Sequence, residues 1–181
     1  MFLNFLFFQI CWFACVWGGA QGHWWLGLVA VALFGAYEFA RSDAWAADLK
    51  LVLLVLATGI VLDSLYVQAG LLRYATPVPV DTIAPVWIWA MWVSFALTLN
   101  HSLAWLKGNT WLAIAFGAIG GPLAYYIAGR AWDAVFFDTS RLALVFAVIA
   151  VAWAIATPLL LKLADRFNST AAAPLLEEKT A

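Results

Sequence analysis

Charge is what this sequence has least of. Of its 181 residues only 10% are Asp, Glu, Lys or Arg, whereas a water-soluble domain carries about 25%. Such a chain has too little polar surface to coat a globule in water. Nine Lys and Arg against ten Asp and Glu leave a net charge of -1, with no clustered basic face for a phosphate backbone, so nucleic acid is not an expected partner. The four lysines, Lys50, Lys107, Lys162 and Lys179, fall at the ends of apolar runs or in the tail, which leaves none at mid-membrane for a retinal Schiff base. Histidine is equally scarce: His23 and His101 alone argue against a bis-histidine haem or a histidine-rich di-iron centre. The phosphate-binding G-x-x-x-x-G-K-[ST] loop and the H-E-x-x-H pair are both missing. Cys11 and Cys15 lie one helical turn apart in the first apolar run without further Cys or His beside them. They read as packing thiols, and neither a metal site nor a disulfide framework is expected. No Lys or Arg precedes the first run and no A-x-A-like site follows it, so it reads as a retained span.

What is present is hydrocarbon: 66% of the chain is hydrophobic and 17% aromatic. About 20 apolar residues are needed to cross a bilayer core as a helix, and six stretches approach that length: 2–19, 24–40, 51–69, 85–106, 110–129 and 141–163. An open chain in lipid must satisfy its own backbone hydrogen bonds, which only helices do. The expected fold is therefore all-α, a polytopic membrane protein built as a six-transmembrane-helix bundle over 1–167, followed by a mobile polar tail over 168–181. Counting Lys and Arg in the loops gives six on the side of the termini and three on the other. The positive-inside rule then predicts both ends in the cytoplasm. Trp17, Trp24, Trp25, Trp87 and Trp132 would mark the outer interface and Trp45, Trp105 and Trp111 the inner one. The longest connection, Gly70 to Ala84, holds Thr76-Pro77-Val78-Pro79 and reads either as a lid over the outer mouth or as a plain connector.

Ionisable and amide groups inside spans are costly, which makes them the default functional candidates. Depth along the helices sorts them into two sets. An inner set contains Asn4, Gln9, Glu38, Asn100 and His101; an outer set contains Asp63, Gln68, Tyr125 and Arg130. In the outer set, Asp63 and Arg130 are expected to form a structural ion pair, or Arg130 to hold a lipid phosphate or carboxylate in its planar fork. In the inner set, Glu38 either reaches Arg41 one turn on or joins His101 in proton transfer, with Asn4 and Gln9 orienting. His101 and Glu38 are thus the catalytic candidates, and Asn4, Gln9, Asn100, Asp63, Tyr125 and Arg130 the candidates for binding substrate. Ser94, Thr98, His101 and Trp105 fall on one stripe of the fourth run, which ought to face protein or a cavity. Gly117, Gly121, Tyr125 and Gly129 give the fifth run a small face for close helix packing, and Pro122 predicts a kink. A serine hydrolase built from His101 with Ser94 or Ser102 is disfavoured, because all three ride one helix.

Several of these pieces carry a resemblance. Asn4, Phe8-Gln9 and Trp12-Phe13, then Asp63-Ser64, Pro85-Val86-Trp87, Trp89-Ala90-Met91-Trp92, His101-Ser102-Leu103-Ala104-Trp105-Leu106, and the run Gly117 to Tyr125 are similar to the DUF2878 family, a bacterial inner-membrane group without an assigned activity. The likeness extends to about Phe167. Members of that family neighbour genes for cyclopropane-fatty-acid-synthase-like enzymes and oxidoreductases, which implies a role in modifying or handling membrane acyl chains. Membrane lipids are then the expected partners, with soluble or membrane partner enzymes and self-association also open. Two further readings stay open: a small transporter or channel with stations at Asp63 and His101, and a non-catalytic scaffold. No cofactor is implied.

Overall fold

A computed structural model describes residues 1–178. Six helices run up and down: α1 (Phe2–Ala20), α2 (Trp25–Phe39), α3 (Trp45–Gln68), α4 (Val86–Leu99), α5 (Thr110–Trp132) and α6 (Leu142–Glu178). The fold is all-α apart from two three-residue strands, β1 (Leu72–Tyr74) and β2 (Val135–Phe137). These form an antiparallel ribbon in which Arg73 faces Phe136. The chain is a multi-pass membrane protein: α1, α3, α5 and α6 are long and apolar enough to cross a bilayer. The other two helices, expected as the second and fourth of six crossings, are apolar but shorter. With 15 residues in α2 and 14 in α4, each reaches only about 21–22 Å at ~1.5 Å per residue, against a hydrocarbon core of about 30 Å.

Short α4 is the hub. Ten of its residues are buried, packed among α1, α2, α3 and α6. Its immediate neighbours come close because glycine lets them. A Cβ on Gly59 of α3 would lie 2.0 Å from Cγ of Trp92, and one on Gly121 of α5 would lie 2.4 Å from Cγ of Trp153. Between those glycines the two indoles stack, with centroids 4.8 Å apart and planes within 18°. A glycine, two stacked indoles and a second glycine thus form a column that joins α3, α4, α6 and α5 through the middle of the bundle. One turn along, Gly117 lets the backbone of α5 meet the carbonyl of Trp153, where a Cβ would sit at 2.2 Å. The small face expected on the fifth run is a packing face. Pro122 lies inside α5, which continues through it. Cys15 serves packing as well, its Sγ seated against Gly27 of α2.

The fourth run departs from expectation. Its helix stops at Leu99 rather than continuing to 106; a turn and a single 3-10 turn over Ala104–Leu106 follow. The backbone N–H of Leu103 folds back to the carbonyl of Thr98 at 2.9 Å, while the side chain of Asn100 is drawn off to Asp48 and Lys107. The stripe Ser94, Thr98, His101, Trp105 is therefore broken. Ser94 and Thr98 donate to carbonyls of their own helix, at 2.7 and 2.6 Å, and His101 and Trp105 belong to the turn beyond.

At the end opposite the termini, the connector from Gly70 to Ala84 closes over the bundle. Leu71, Leu72, Tyr74 and Ala84 are buried in it. Thr76 donates to the carbonyl of Gly19 at 2.6 Å, and Ser64 accepts from the N–H of Ala84 at 3.0 Å. Trp87, expected at the lipid interface, is fully buried beneath this cover, edge-on to Tyr74 and against Gly19. Trp17, Trp25, Trp45, Trp105 and Trp111 are exposed near helix ends. Helix α6 runs on into the stretch assigned to a polar tail; residues 179–181 of that tail lie outside the described residues.

Candidate functional site

Two polar clusters and a groove are assembled by this packing. The first cluster sits at the end that carries the termini. Asn4 of α1 is buried and uses its whole amide: Nδ2 donates to Glu38 Oε1 and to the carbonyl of Leu97, both at 2.9 Å, and Oδ1 accepts from the N–H of Ser102 at 3.2 Å. Glu38 of α2 turns its other oxygen to Nε2 of His101, 3.4 Å away. Glu38 is buried, whereas 43% of the His101 side chain is exposed. Arg41 does not pair with Glu38; its guanidinium lies over the Tyr37 ring at 5.3 Å. Beside this group Asn100 donates to Asp48 at 3.1 Å and to Asn168 at 3.3 Å, and accepts from Lys107 at 2.9 Å. Lys107 in turn meets Asp165 at 3.4 Å. Asn4, Glu38, Asn100 and His101 of the inner set thus do come together. A histidine backed by a buried carboxylate and open on its other side is suited to passing a proton to a group at the surface.

The second cluster surrounds Asp63, which is wholly buried. The expected partner, Arg130, is not there; it is exposed near the end of α5. Three neutral donors hold the carboxyl instead: the hydroxyls of Tyr74 and Tyr125 both reach Oδ1, and the indole N–H of Trp92 reaches Oδ2 at 2.6 Å. Hydrogen bonds offset the loss of water around a carboxylate without bringing in a second costly charge. Gln68, grouped with Asp63 by depth, is exposed and takes no part. Tyr74 and Trp92 are outside the sequence-based set, because Tyr74 lies in the connector and the pattern of aromatic residues in α4 does not mark which of them turns toward Asp63. The ring of Tyr66 stands edge-on to Tyr125, and its buried hydroxyl has no partner among the described residues.

Between α1 and α5, which touch little, lies a groove of about 470 Å³, within the range of about 300–1,000 Å³ that ligand sites occupy. One face of α1 (Phe5, Phe8, Gln9, Trp12 and Phe13) forms a wall, recurring at the spacing of a single helix side. Its rim is open, with Phe5 51% and Leu123 51% exposed, and its floor is closed, with Phe95 at 6% and Thr98 at 1%. A smaller cavity of about 60 Å³ shares Phe8, Trp12 and Trp153 with it and extends to Tyr125 and Trp92, the side chains that hold Asp63. Gln9 stands in the groove rather than in the cluster with Asn4. Ser102 also lines it, and connects the groove to that cluster through its N–H bond to Asn4.

The model of one protein family, described as "Protein of unknown function (DUF2878)", matches residues 1–159. No curated protein and no solved structure matches the chain. The chain belongs to the DUF2878 family.

Proposed function

We propose, with membership of the DUF2878 family as the premise, that this membrane protein receives the acyl chain of a membrane lipid in the groove between α1 and α5. It acts there either as an enzyme or as the subunit that presents the lipid to partner enzymes. The observation that carries the reading is the groove itself: an open apolar rim over a buried floor, beside helices that stand in hydrocarbon. Lipid can enter such a groove sideways without crossing water. The polar cluster at its end supplies chemistry, with His101 and Glu38 as the proton-handling pair, and Asn4 and Asn100 positioning them. At the opposite end Tyr125 and Trp92, which hold Asp63, border the smaller cavity, and Arg130 stands outside the lining of both cavities. The family resemblance favours a bacterial inner-membrane placement, and six basic residues against three favour both termini on its cytoplasmic side, with the His101 end there too.

The transporter reading finds less support. Along α3, from Asp48 to Asp63, the buried residues are Leu51, Val52, Val55 and Gly59, which give no polar lining between the two clusters. The scaffold reading requires each buried polar group in the bundle to be paired within the protein, and the Tyr66 and Thr157 hydroxyls and the indole N–H groups of Trp87, Trp89 and Trp153 have no partner among the described residues.

The test uses Gly120, which lines the groove and where an added Cβ meets only a Phe116 ring carbon at 3.9 Å. Gly120→Leu fills the groove without disturbing the contact of α5 with α6. Lipid retained through detergent purification, measured by mass spectrometry, should fall sharply in the variant while its melting temperature holds. Equal lipid content in the two proteins would sink the acyl-chain reading. In cells, His101→Ala and deletion of the gene should alter the acyl profile in the same sense.

A further inference from the structure

The groove has a polar inventory of its own, and it is uncharged. No Asp, Glu, Lys, Arg or His is among its lining residues; its polar side chains are Gln9, Thr98 and Ser102, with the indole N–H groups of Trp12, Trp105 and Trp153 as further neutral donors, that of Trp153 buried and unpaired among the described residues. Thr98 is already committed, donating to the carbonyl of Phe95 at 2.6 Å. Gln9 and the Ser102 hydroxyl have no hydrogen-bond partner among the described residues, although Ser102 is only 8% exposed. Asn4 fixes Ser102 at the groove wall through its backbone N–H, a contact that leaves the hydroxyl uncommitted. Gln9 lies five residues beyond Asn4 on α1, about 7–8 Å further from that end at ~1.5 Å per residue. An amide and a hydroxyl left unpaired beside hydrocarbon are unfavourable, and a bound molecule that supplies oxygen at those two depths removes the penalty.

The same inventory sets the charge of that molecule. The cations nearest the groove's polar end are engaged elsewhere: Lys107 with Asn100 and Asp165, His101 with Glu38, and Arg41 over Tyr37. A carboxylate or phosphate drawn into the groove would be buried without a counter-charge, the costly case. An ester carbonyl or an alcohol asks only for the neutral donors and acceptors that an amide and a hydroxyl provide. We infer that the groove selects an electrically neutral lipid, an ester or long-chain alcohol, whose oxygen is held between Ser102 and Gln9. This rests on the acyl-chain reading and adds the class of lipid to it.

Trp12, Trp105 and Trp153 line the groove, so brominated chains will quench their emission on binding. The full-length protein in detergent is titrated with bromine-labelled diacylglycerol, fatty alcohol, fatty acid at a pH where it is ionised, and phosphatidic acid. Diacylglycerol or the alcohol should bind at least ~10-fold more tightly than either anion, and Ser102→Ala and Gln9→Leu should each weaken the neutral ligand by about fivefold, the worth of one hydrogen bond. Gln9→Lys should shift preference toward the fatty acid. The melting temperatures of these variants should stay at the wild-type value. If all four lipids bind alike and Gly120→Leu abolishes binding, the groove takes acyl chains but the charge selection is wrong. If Gly120→Leu leaves quenching by every lipid unchanged, both readings fall.

Discussion

Replacing Gly59 by alanine tests whether the stacked indoles organise the bundle. In an ordinary helix the change would help, since alanine is favoured over glycine by ~0.8–1.0 kcal/mol. Here the new methyl would lie 2.0–2.3 Å from Cγ, Cδ2 and Cδ1 of Trp92, on the rigid part of the ring. Trp92 cannot retreat: Trp153 stacks behind it at 4.8 Å and its N–H is tied to Asp63 at 2.6 Å. Overpacking of this kind costs about 1–3 kcal/mol. Pulling the indole from the buried carboxyl adds about 1–3 kcal/mol. Less the propensity gain, the net loss is about 1–5 kcal/mol, several degrees of melting temperature for a chain of this size. Gly120→Ala is the control, because it offers the same propensity gain with open space around the methyl. Thermal unfolding in detergent, followed by tryptophan emission, should place Gly59→Ala well below Gly120→Ala. If the two variants melt together, the column is not a rigid element and the reasoning fails.

Asn4→Ala should destabilise by about 1–3 kcal/mol, because it strands Glu38, the Leu97 carbonyl and the Ser102 N–H at once; His101→Ala, at a half-exposed side chain, should cost no more than ~0.5 kcal/mol. Chemical denaturation of the two variants side by side checks the order. Tyr125→Phe removes one of two hydroxyls that reach Asp63 Oδ1 and should be milder than Asp63→Leu, which leaves Tyr74, Tyr125 and Trp92 all without an acceptor; a reversed ranking in melting temperature would contradict the assignment. At the turn between β2 and α6, the Ser140 hydroxyl, then Arg141, hold the Asp138 carboxyl below the ordinary carboxylate range. Stability from a group lowered in this way is present above its unfolded value and is lost as pH falls through the lowered one, so the protection of the Ser140 amide, its exchange relative to the intrinsic rate at each pH, should fall on acidification in the wild type and stay level in Asp138→Asn.

Much of the fold is legible in the sequence because hydropathy and helical periodicity are local properties. The apolar runs fall on the observed helices, and glycines four residues apart predict the face that α5 gives α6. Depth along each helix was enough to bring Asn4, Glu38, Asn100 and His101 together. What was not legible depends on partners distant in the chain. Asp63 was matched to Arg130 because opposite charge is the visible signal, but the protein uses neutral donors supplied by the connector, α4 and α5, and nothing in a pattern of aromatic residues says which of them turn inward. The early end of α4 has the same origin. Its run turns apolar again over 103–106 after Asn100-His101-Ser102, yet Asn100 and the Ser102 N–H find side-chain partners on other helices, and those bonds make leaving the helix tolerable. The ribbon of β1 and β2 is too short for strand alternation to register.

The buried polar groups divide by whether the protein already satisfies them, and the division bears on function. Asp63 takes three hydrogen bonds and Asn4 takes or gives three; each joins elements far apart in sequence and leaves little for a ligand. Such groups stabilise one arrangement of helices, and substituting them should be felt mainly as lost stability. Gln9, the Ser102 hydroxyl and the open side of His101 are incomplete and line or adjoin the open apolar groove, as does the unpaired indole N–H of Trp153, while Tyr66, Trp87, Trp89 and Thr157 carry buried unpaired atoms elsewhere in the bundle. In hydrocarbon an unpaired amide has no water to turn to, so the cost of Gln9 is offset only when another molecule arrives. Variants of the first group should therefore lower melting temperature and lipid binding together, whereas variants of the second should change binding at constant melting temperature. A Gln9→Leu protein that binds lipid as the wild type does would place Gln9 among residues without a role at the groove, and the groove would then have Ser102 and the unpaired indole N–H of Trp153 with which to hold an oxygen.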